Sequence, residues 1–413
     1  MFLIADAKFI LDKFYENGYE AFIVGGCVRD TLLDRKLNDY DITTNAMPEK
    51  TIELFEKTIP TGLKHGTVTV IINKTPYEVT TYRVDGEYKD NRRPDDVIFV
   101  SDIKEDLARR DFTINAMAYS PYFGFKDFFN GRDDLDNRLI KAVGDADKRF
   151  NEDALRMLRA IRFSAQLNFT IEEKTYKAIK TNSSLIKNIS KERINIELNK
   201  ILQSNSPSLG IKMLEETNLL KNLLPVEYNK YFDKEYFKEN IENLDKIKNS
   251  KYLRLCYMLE TCFKNIATDE IKKILRTLKY DNKTINFVSS LNSNQLSYIN
   301  INSDTDLKLW INSTDRGILF DTFEYIITKL SFKNNSTSKT QKLYERTKEI
   351  IENKEPLTIK DLAIRGSDLI NECNITPGKK LGETLNSLLL KVLENPTLNE
   401  KQLLLDIVKQ KRD

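Results

Sequence analysis

Gly25-Gly26-Cys27-Val28-Arg29-Asp30, set directly behind the apolar run Ala21-Phe22-Ile23-Val24, constrains this chain more than any other stretch. The run reads as a buried strand. Two glycines immediately after a strand let the backbone turn sharply and bring its N–H groups close to a ligand. Residues 27–33 have helical character, so those N–H groups would open a helix, where a phosphate is favoured. Arg29 adds a planar, permanently charged phosphate partner. Asp39 and Asp41 follow, two apart, so that in a strand both carboxylates leave one face. Two adjacent carboxylates repel unless a cation lies between them, and hard oxygen donors suit Mg²⁺. A Gly-Gly turn or an Asp-x-Asp pair alone is commonplace. Together in one strand–turn–helix–strand unit they predict a phosphate cradle at Gly25, Gly26 and Arg29 beside a metal site.

The remaining totals narrow the chemistry. With 413 residues the chain has room for several cores. A net charge of only +3 means that nucleic acid, if bound, must meet local basic patches. Cys27, Cys256, Cys262 and Cys373 lack metal-type spacing and suggest a reducing compartment. No apolar run approaches the ~20 residues of a membrane helix, and Asp6, Lys8 and Asp12 interrupt any leader pattern. A cytoplasmic protein without membrane contact is expected. His65 is the only histidine and no nucleophile elbow is present. This excludes His-rich metal sites and a serine–histidine hydrolase, and leaves carboxylates, metal ions and arginines.

Along the chain, residues 1–19 read as an amphipathic helix and 48–57 as a short one beginning at Pro48. Thr67–Ile72 and Tyr77–Tyr82 read as a hairpin around Asn73-Lys74-Thr75-Pro76, with Glu78 the one acid in it. Residues 84–94 read as a polar, mobile loop and 97–100 as a strand. Arg109-Arg110-Asp111-Phe112-Thr113-Ile114-Asn115 is a second dense motif, polar groups among apolar ones, costly unless they bind something. Asn130-Gly131 is expected to close a last hairpin. From about residue 141 strand signals fade. Residues 152–163 read as one helix in which Asp153 and Arg156 are i,i+3 neighbours. Arg156, Arg159 and Arg162 step along one face, while Leu155 and Phe163 intrude on it. One acid pair beside three arginines leaves positive charge that a triphosphate would neutralise. Residues 191–194 begin another helix, and Lys379 and Lys380 open a late one, where they would meet RNA phosphate or solvent.

These motifs resemble those of the class II nucleotidyltransferases, the family of the bacterial tRNA CCA-adding enzymes and poly(A) polymerases. The resemblance rests on Gly-Gly-x-Val-Arg-Asp, Asp-x-Asp, Arg-Arg-Asp-Phe-Thr-Ile-Asn-Ala and Glu-Asp-x-x-Arg, in that order. Gly62-Leu63-Lys64-His65-Gly66-Thr67-Val68 is similar to the CCA-adding branch, and the polar loop argues against a cytidine-only enzyme. The resemblance implies an α+β chain: a nucleotidyltransferase head with a small mixed or antiparallel sheet (1–140), then an elongated all-α neck (141–205), body (206–340) and tail (341–413). It implies Glu78 as a third carboxylate with Asp39 and Asp41, and assigns the 191–194 element to supporting the preceding motif. The three carboxylates would hold two Mg²⁺ ions, which lower the pKa of the attacking 3′-hydroxyl and neutralise the leaving pyrophosphate. Gly25, Gly26 and Arg29 would grip the triphosphate from one side, with Arg110, Arg159 and Arg162 on the other. Asp111 and Asn115 would meet the sugar. Cytosine and adenine both present an amine donor beside a ring-nitrogen acceptor, which the Asp153 carboxylate and Arg156 guanidinium complement. The expected activity is addition of C, C and A from CTP and ATP to the 3′ end of tRNA, held at its acceptor stem, with no obligate protein partner. A poly(A) polymerase, an A-only enzyme and a non-catalytic RNA-binding protein are the alternatives.

Overall fold

A computed structural model describes residues 4–37, 40–86 and 97–410. The chain forms two compact units: 1–245 with 261–264 and 277–279, and the remainder from 246 onward.

The first unit opens with α1 (Ala5–Glu16), whose buried stripe is Ala7, Ile10, Leu11 and Phe14. That i, i+3, i+4, i+7 spacing puts one face against the sheet, each large side chain contributing about 1.5–3 kcal/mol. Ile4 and Phe9, apolar residues of the segment expected to be an amphipathic helix, are exposed. Strands β1 (Ala21–Val24), β2 (Asp41–Thr44), β3 (Thr58–Gly62), β4 (Thr67–Ile72) and β5 (Thr75–Thr81) come next, with α2 (Gly26–Leu32) after β1 and α3 (Pro48–Leu54) after β2. The strands β6 (Arg83–Asp85) and β7 (Val97–Phe99) pair with each other. Helix α4 (Ile103–Ala108), β8 (Met117–Ser120), β9 (Gly124–Asp127) and α5 (Gly131–Asp136) complete the α/β part. Among the described residues the main sheet has the order β3-β4-β5-β2-β1-β8-β9. Only β2 and β5 run parallel; the other pairs are antiparallel. The fold is α+β with a mixed sheet, as the family resemblance implies. Central β1 is buried along its whole length. Its Phe22 and Val24 pack with Tyr82, Ile103, Leu107 and Ala118 in one cluster.

Four local readings change. The β4–β5 turn is only Asn73-Lys74, both at positive φ (49° and 69°), and Thr75 and Pro76 already belong to the strand. Such a two-residue turn matches the twist of the flanking strands. Strand β3, exposed and carrying Pro60, lacks the alternation that would have marked it. Val84 pairs with Ile98 in a strand rather than a loop, while 87–96 lie outside the described residues. Asn130-Gly131 does not close a hairpin: Asn130 is left-handed (φ 59°) and leads into α5, whose Gly131 and Arg132 N–H groups donate to Asp127, and the β8–β9 hairpin turns between Ser120 and Gly124.

Helical segments dominate beyond this point: α6 (Ala146–Glu152), α7 (Leu155–Leu167), α8 (Glu173–Asn182), α9 (Lys191–Leu202) and α10 (Pro207–Glu216). The region expected to be all-α also contains β11 (Thr170–Ile171), parallel to β10 (Leu139–Ile140), a pairing too short to leave a periodicity. In the second unit, one core gathers Leu307, Trp310, Phe323 and Ile350, another Leu369, Leu388, Val392 and Leu404. Lys308, 1% exposed, joins their helices. Its ammonium donates to the Leu393 carbonyl (3.2 Å) and pairs with Asp304 (3.0 Å) and Glu355 (2.9 Å), one acceptor for each of its three donors. The four cysteines are free and buried, and no described helix is long and apolar enough to cross a membrane.

Gly131 couples this fold to the motif beside it. A Cβ at Gly131 would run into the Thr113 carbonyl oxygen and Met117, backbone and core that cannot swing aside. Gly131→Ala is expected to lower stability by about 1–3 kcal/mol, read by urea unfolding. An unchanged midpoint would show that α5 shifts freely.

Candidate active site

The turn after β1 places Gly25 at φ +74°. A Cβ there would lie 3.0 Å from Arg110 Nη1 and 3.8 Å from Asp41 Oδ2, so only glycine lets the backbone run between these two side chains. Asp41 is the first residue of β2 and stands in register with Glu78 of parallel β5. Directly opposed residues share a face, so the two exposed carboxylates are neighbours of the kind that bind a hard cation. Because β2 begins at Asp41, the strand-spacing argument does not reach Asp39, which lies outside the described residues.

From α4 onward the polar groups form a chain. Asp106, fully buried, accepts from Arg109 (2.8 Å) and Arg110 (3.3 Å). Arg29 donates to the Asn115 carbonyl oxygen (2.7 Å), and the Asn115 amide donates to Asp111 (3.1 Å). The other Asp111 oxygen accepts from Arg159 (2.7 Å). Burial alone would raise the Asp111 pKa, but Arg159, Asn115 and Arg156 outweigh it and hold the carboxyl below the usual carboxylate range. Burial likewise opposes the charge on Arg159, and Asp111 and Glu197 more than restore it.

The arginine-bearing segment is not one helix. Glu152 ends α6, and Asp153 is extended (φ −138°, ψ 102°). Its carboxylate accepts the Leu155 N–H (3.1 Å), the side-chain-to-backbone bond that makes aspartate a helix starter rather than a helix interior residue. Asp153 and Arg156 therefore do not form the expected intrahelical pair. Arg193 of α9 donates twice to Asp153 (2.7 and 3.3 Å). Arg156 donates to Glu152 (2.6 Å) and to the Arg109 carbonyl (2.9 Å). Arg162 Nη1 donates to both carboxylate oxygens of Glu197 of α9 (2.8 and 3.0 Å). The excess charge read from α7 alone is thus partly met by acids from other elements.

It is not fully met. Burial, then the charge of Arg159, lowers the Arg162 pKa to about 10 despite Glu197. Arg110 and Arg162 each keep a buried Nε–H without an acceptor. One cavity of about 520 Å³ collects Gly25, Gly26, Arg29, Asp41, Arg110, Asp111, Asn115, Asp153, Arg156, Arg159 and Arg162. Sequence reasoning missed Arg109, Arg193 and Lys200 in its wall, and Glu197 behind it. Arg193, Glu197 and Lys200 share one face of α9 at i, i+4 and i+7, a stripe that could have been read. Phe163, taken for an intruder, is the ring against which Arg29, Arg159 and Arg162 pack (guanidinium carbons 4.9, 5.4 and 4.2 Å from its centroid). Lys379 and Lys380 are in the second unit; Lys379 is 91% exposed and only 3.8 Å from Glu383.

Asp111→Asn keeps the shape but removes the charge under Arg159. We expect a loss of roughly 2–3 kcal/mol in urea unfolding at pH 7. The depressed Asp111 pKa contributes stability present above its unfolded value and lost as pH falls through the folded one. The gap to the wild type should therefore hold above about pH 5 and narrow below about pH 4. A gap that ignores pH would mean that Asp111 acts through shape alone.

Residues 21–141 match the family model described as "Poly A polymerase head domain". Further models, of a polymerase A RNA-binding region and a second tRNA nucleotidyltransferase domain, match 168–230 and 251–408. A CCA-adding enzyme of Ligilactobacillus salivarius is 38% identical over 97% of this chain and 95% of its own length. One of Staphylococcus haemolyticus is 36% identical over 99% and 98%. The crystal structure of a Bacillus stearothermophilus CCA-adding enzyme in complex with CTP superposes with a TM-score of 0.78 at 30% identity, covering 98% of this chain and 96% of that one. At such identity over almost the whole length, the chain belongs to the family of CCA-adding enzymes, tRNA nucleotidyltransferases.

Proposed function

We propose that this chain adds C, C and A to the 3′ end of tRNA from CTP and ATP without a nucleic-acid template, releasing pyrophosphate, and does so in the cytoplasm. The observation that carries this reading is the single cavity where a glycine strap and Asp41 face an arginine wall with two unmet guanidinium N–H groups. That wall suits a triphosphate, and a pair of unlike polar groups beside it suits a base. The head, neck, body and tail boundaries given above are retained as part of the proposal, with Lys379 and Lys380 as RNA contacts.

Asp41 and Glu78, adjacent in register, fit a hard divalent ion, and with Asp39 they are the groups we assign to Mg²⁺. When bound, the metal lowers the pKa of the 3′-hydroxyl and offsets charge on the leaving group. The protein's own part is positioning and charge. Gly25 and Gly26 let the triphosphate approach the backbone, while Arg29, Arg110, Arg159 and Arg162 neutralise it. The 3′-oxygen attacks the α-phosphorus in line, and the bond to the bridging oxygen of pyrophosphate breaks. Asn115 and Asp111, locked to each other and to Arg29 and Arg159, offer the sugar a fixed polar edge.

Base choice falls to Asp153 and Arg156. Because Arg193 and the Leu155 N–H occupy three of the four lone-pair sites on Asp153, one acceptor site remains for an exocyclic amine. Arg156 uses its Nη groups on Glu152 and two carbonyls, leaving Nε–H for a ring nitrogen. Uracil and guanine present the reverse pattern and would face like groups.

The direct assay uses purified protein, tRNA lacking its 3′ end and each labelled nucleotide in turn. Three additions that stop after A support the proposal. Unlimited A addition would instead mark a poly(A) polymerase, A on a CC-ended tRNA alone an A-only enzyme, and no addition a binding protein. Asp41→Ala and Glu78→Ala should each abolish transfer with tRNA affinity kept, as read by single-turnover extension and filter binding. Asp153→Ala should make CTP and ATP poorer substrates and UTP relatively better, eroding a discrimination of ~10⁴. If all four nucleotides slow by one factor, Asp153 merely shapes the start of α7.

A further inference from the structure

The second unit contains a basic site that none of the motifs accounts for. Between Glu324 and Glu345 the sequence has four lysines and no carboxylate, within a chain holding 62 acids. Lys329 is committed to Glu260 (2.7 Å). Lys339 and Lys342 are not committed: both are exposed, and among the described residues neither forms an ion pair.

Their position is costly for a merely solvated charge. Both lie at the beginning of the helix Ser338–Glu352, which has no acid in its first turn. The positive end of a helix dipole disfavours cations, so Lys339, in the first turn, raises the local potential at the expense of the helix, and Lys342 adds its charge one turn on. They line a cavity of about 540 Å³ whose opposite wall is Asn302, Ser303 and Asp304. Asp304, the carboxylate in that wall, is neutralised by Arg346 (2.8 and 3.0 Å) and Lys308 (3.0 Å). The space between the walls is therefore positive at its lysine rim and open to solvent, with Asn302, Ser303 and Ser338 beside an apolar floor of Ile301, Leu307 and Leu343. An extended polyanion suits it better than a small acid, because Lys339 and Lys342 stand i, i+3 along one helix face, while Arg346 on the same face is spent on Asp304, Glu349 and Glu355.

We propose that this groove is a docking site for the RNA backbone: Lys339 and Lys342 neutralise successive phosphates of the tRNA, and Ser303 and Asn302 flank the strand. The proposal rests on tRNA being the substrate. It adds an anchor separate from Lys379 and Lys380 and from the nucleotide cavity.

The test compares wild type with Lys339→Ala/Lys342→Ala, and with Lys348→Ala as a control on the same helix, where Lys348 pairs with Glu345 (3.3 Å). Binding of full-length tRNA is measured from 50 to 200 mM salt, and extension kinetics are measured with CTP. If the site is real, the double variant loses about one unit of log–log salt slope per lysine, so its deficit shrinks about tenfold across that range. KM for tRNA rises while kcat and KM for CTP stay put. Lys348→Ala leaves the slope unchanged. A wild-type slope in the double variant overturns the site, as does an equal slope loss in the control, which would mark a net-charge effect. Far-UV circular dichroism and an unchanged KM for CTP establish that the variants are folded. If the wild type itself extends no tRNA, the functional reading fails instead, an outcome distinct from loss of this anchor alone.

Discussion

Everything that faces the arginine-lined cavity depends on how a crowd of guanidinium groups is kept folded before any anion arrives. Arginines cannot shed their charge, so each must find a carboxylate, a carbonyl or a ring. Asp106, Glu152 and Glu197 in three helices, and Asp111 and Asp153 in the segments between helices, divide the arginines among them. The Phe163 ring takes the faces that carboxylates do not reach. The resulting lattice ties the sheet to α7 and α9, so the cavity wall and the packing of the helices are one structure.

This arrangement explains why the site is both stiff and unsatisfied. The side chains are fixed by carboxylates on neighbouring elements, while buried Nε–H groups of Arg110 and Arg162 have no acceptor. A ligand that brings negative charge meets guanidinium groups already held in place and need not reorganise them, which is how preorganised charge lowers a barrier. Burial acts in the same direction, since Arg162 holds its proton less tightly than a solvated arginine until more negative charge is near.

Local chemistry made much of this legible. The strand and the glycine turn follow from the apolar run and the glycines, whereas the Asp41–Glu78 neighbourhood was implied by the family resemblance and not by periodicity. What escaped depended on contacts distant in sequence. Nothing near Arg162 announces Glu197, and nothing near Asp153 announces Arg193, forty residues on. The break at Asp153 was hidden because the apolar pattern of α7 continues backward in register through Ala154 and Phe150, as if one helix ran through both. Phe163 was misjudged because helical-face reasoning counts an aromatic ring among charges as a fault, whereas its π face is the charges' partner. Asn130-Gly131 carries a hairpin signature because a left-handed Asn before Gly suits a tight turn, but here it leads into α5, whose first N–H groups donate to Asp127 instead.

The four buried cysteines make the molecule its own reporter. Burial pushes the Cys27 thiol up to about 11, and those of Cys256 and Cys262 also rise, so little thiolate exists near neutrality while the chain is closed. Cys27 and Cys262 belong to the first unit, Cys256 and Cys373 to the second. Cys256 and Cys262 share one helix, so it is the alkylation rates of Cys27 and Cys373, resolved by peptide mass, that separate the opening of one unit from that of the other without any engineered probe. Cys27, whose thiol donates to the Val24 carbonyl beneath the glycine strap, would register protection when a nucleotide fills the head.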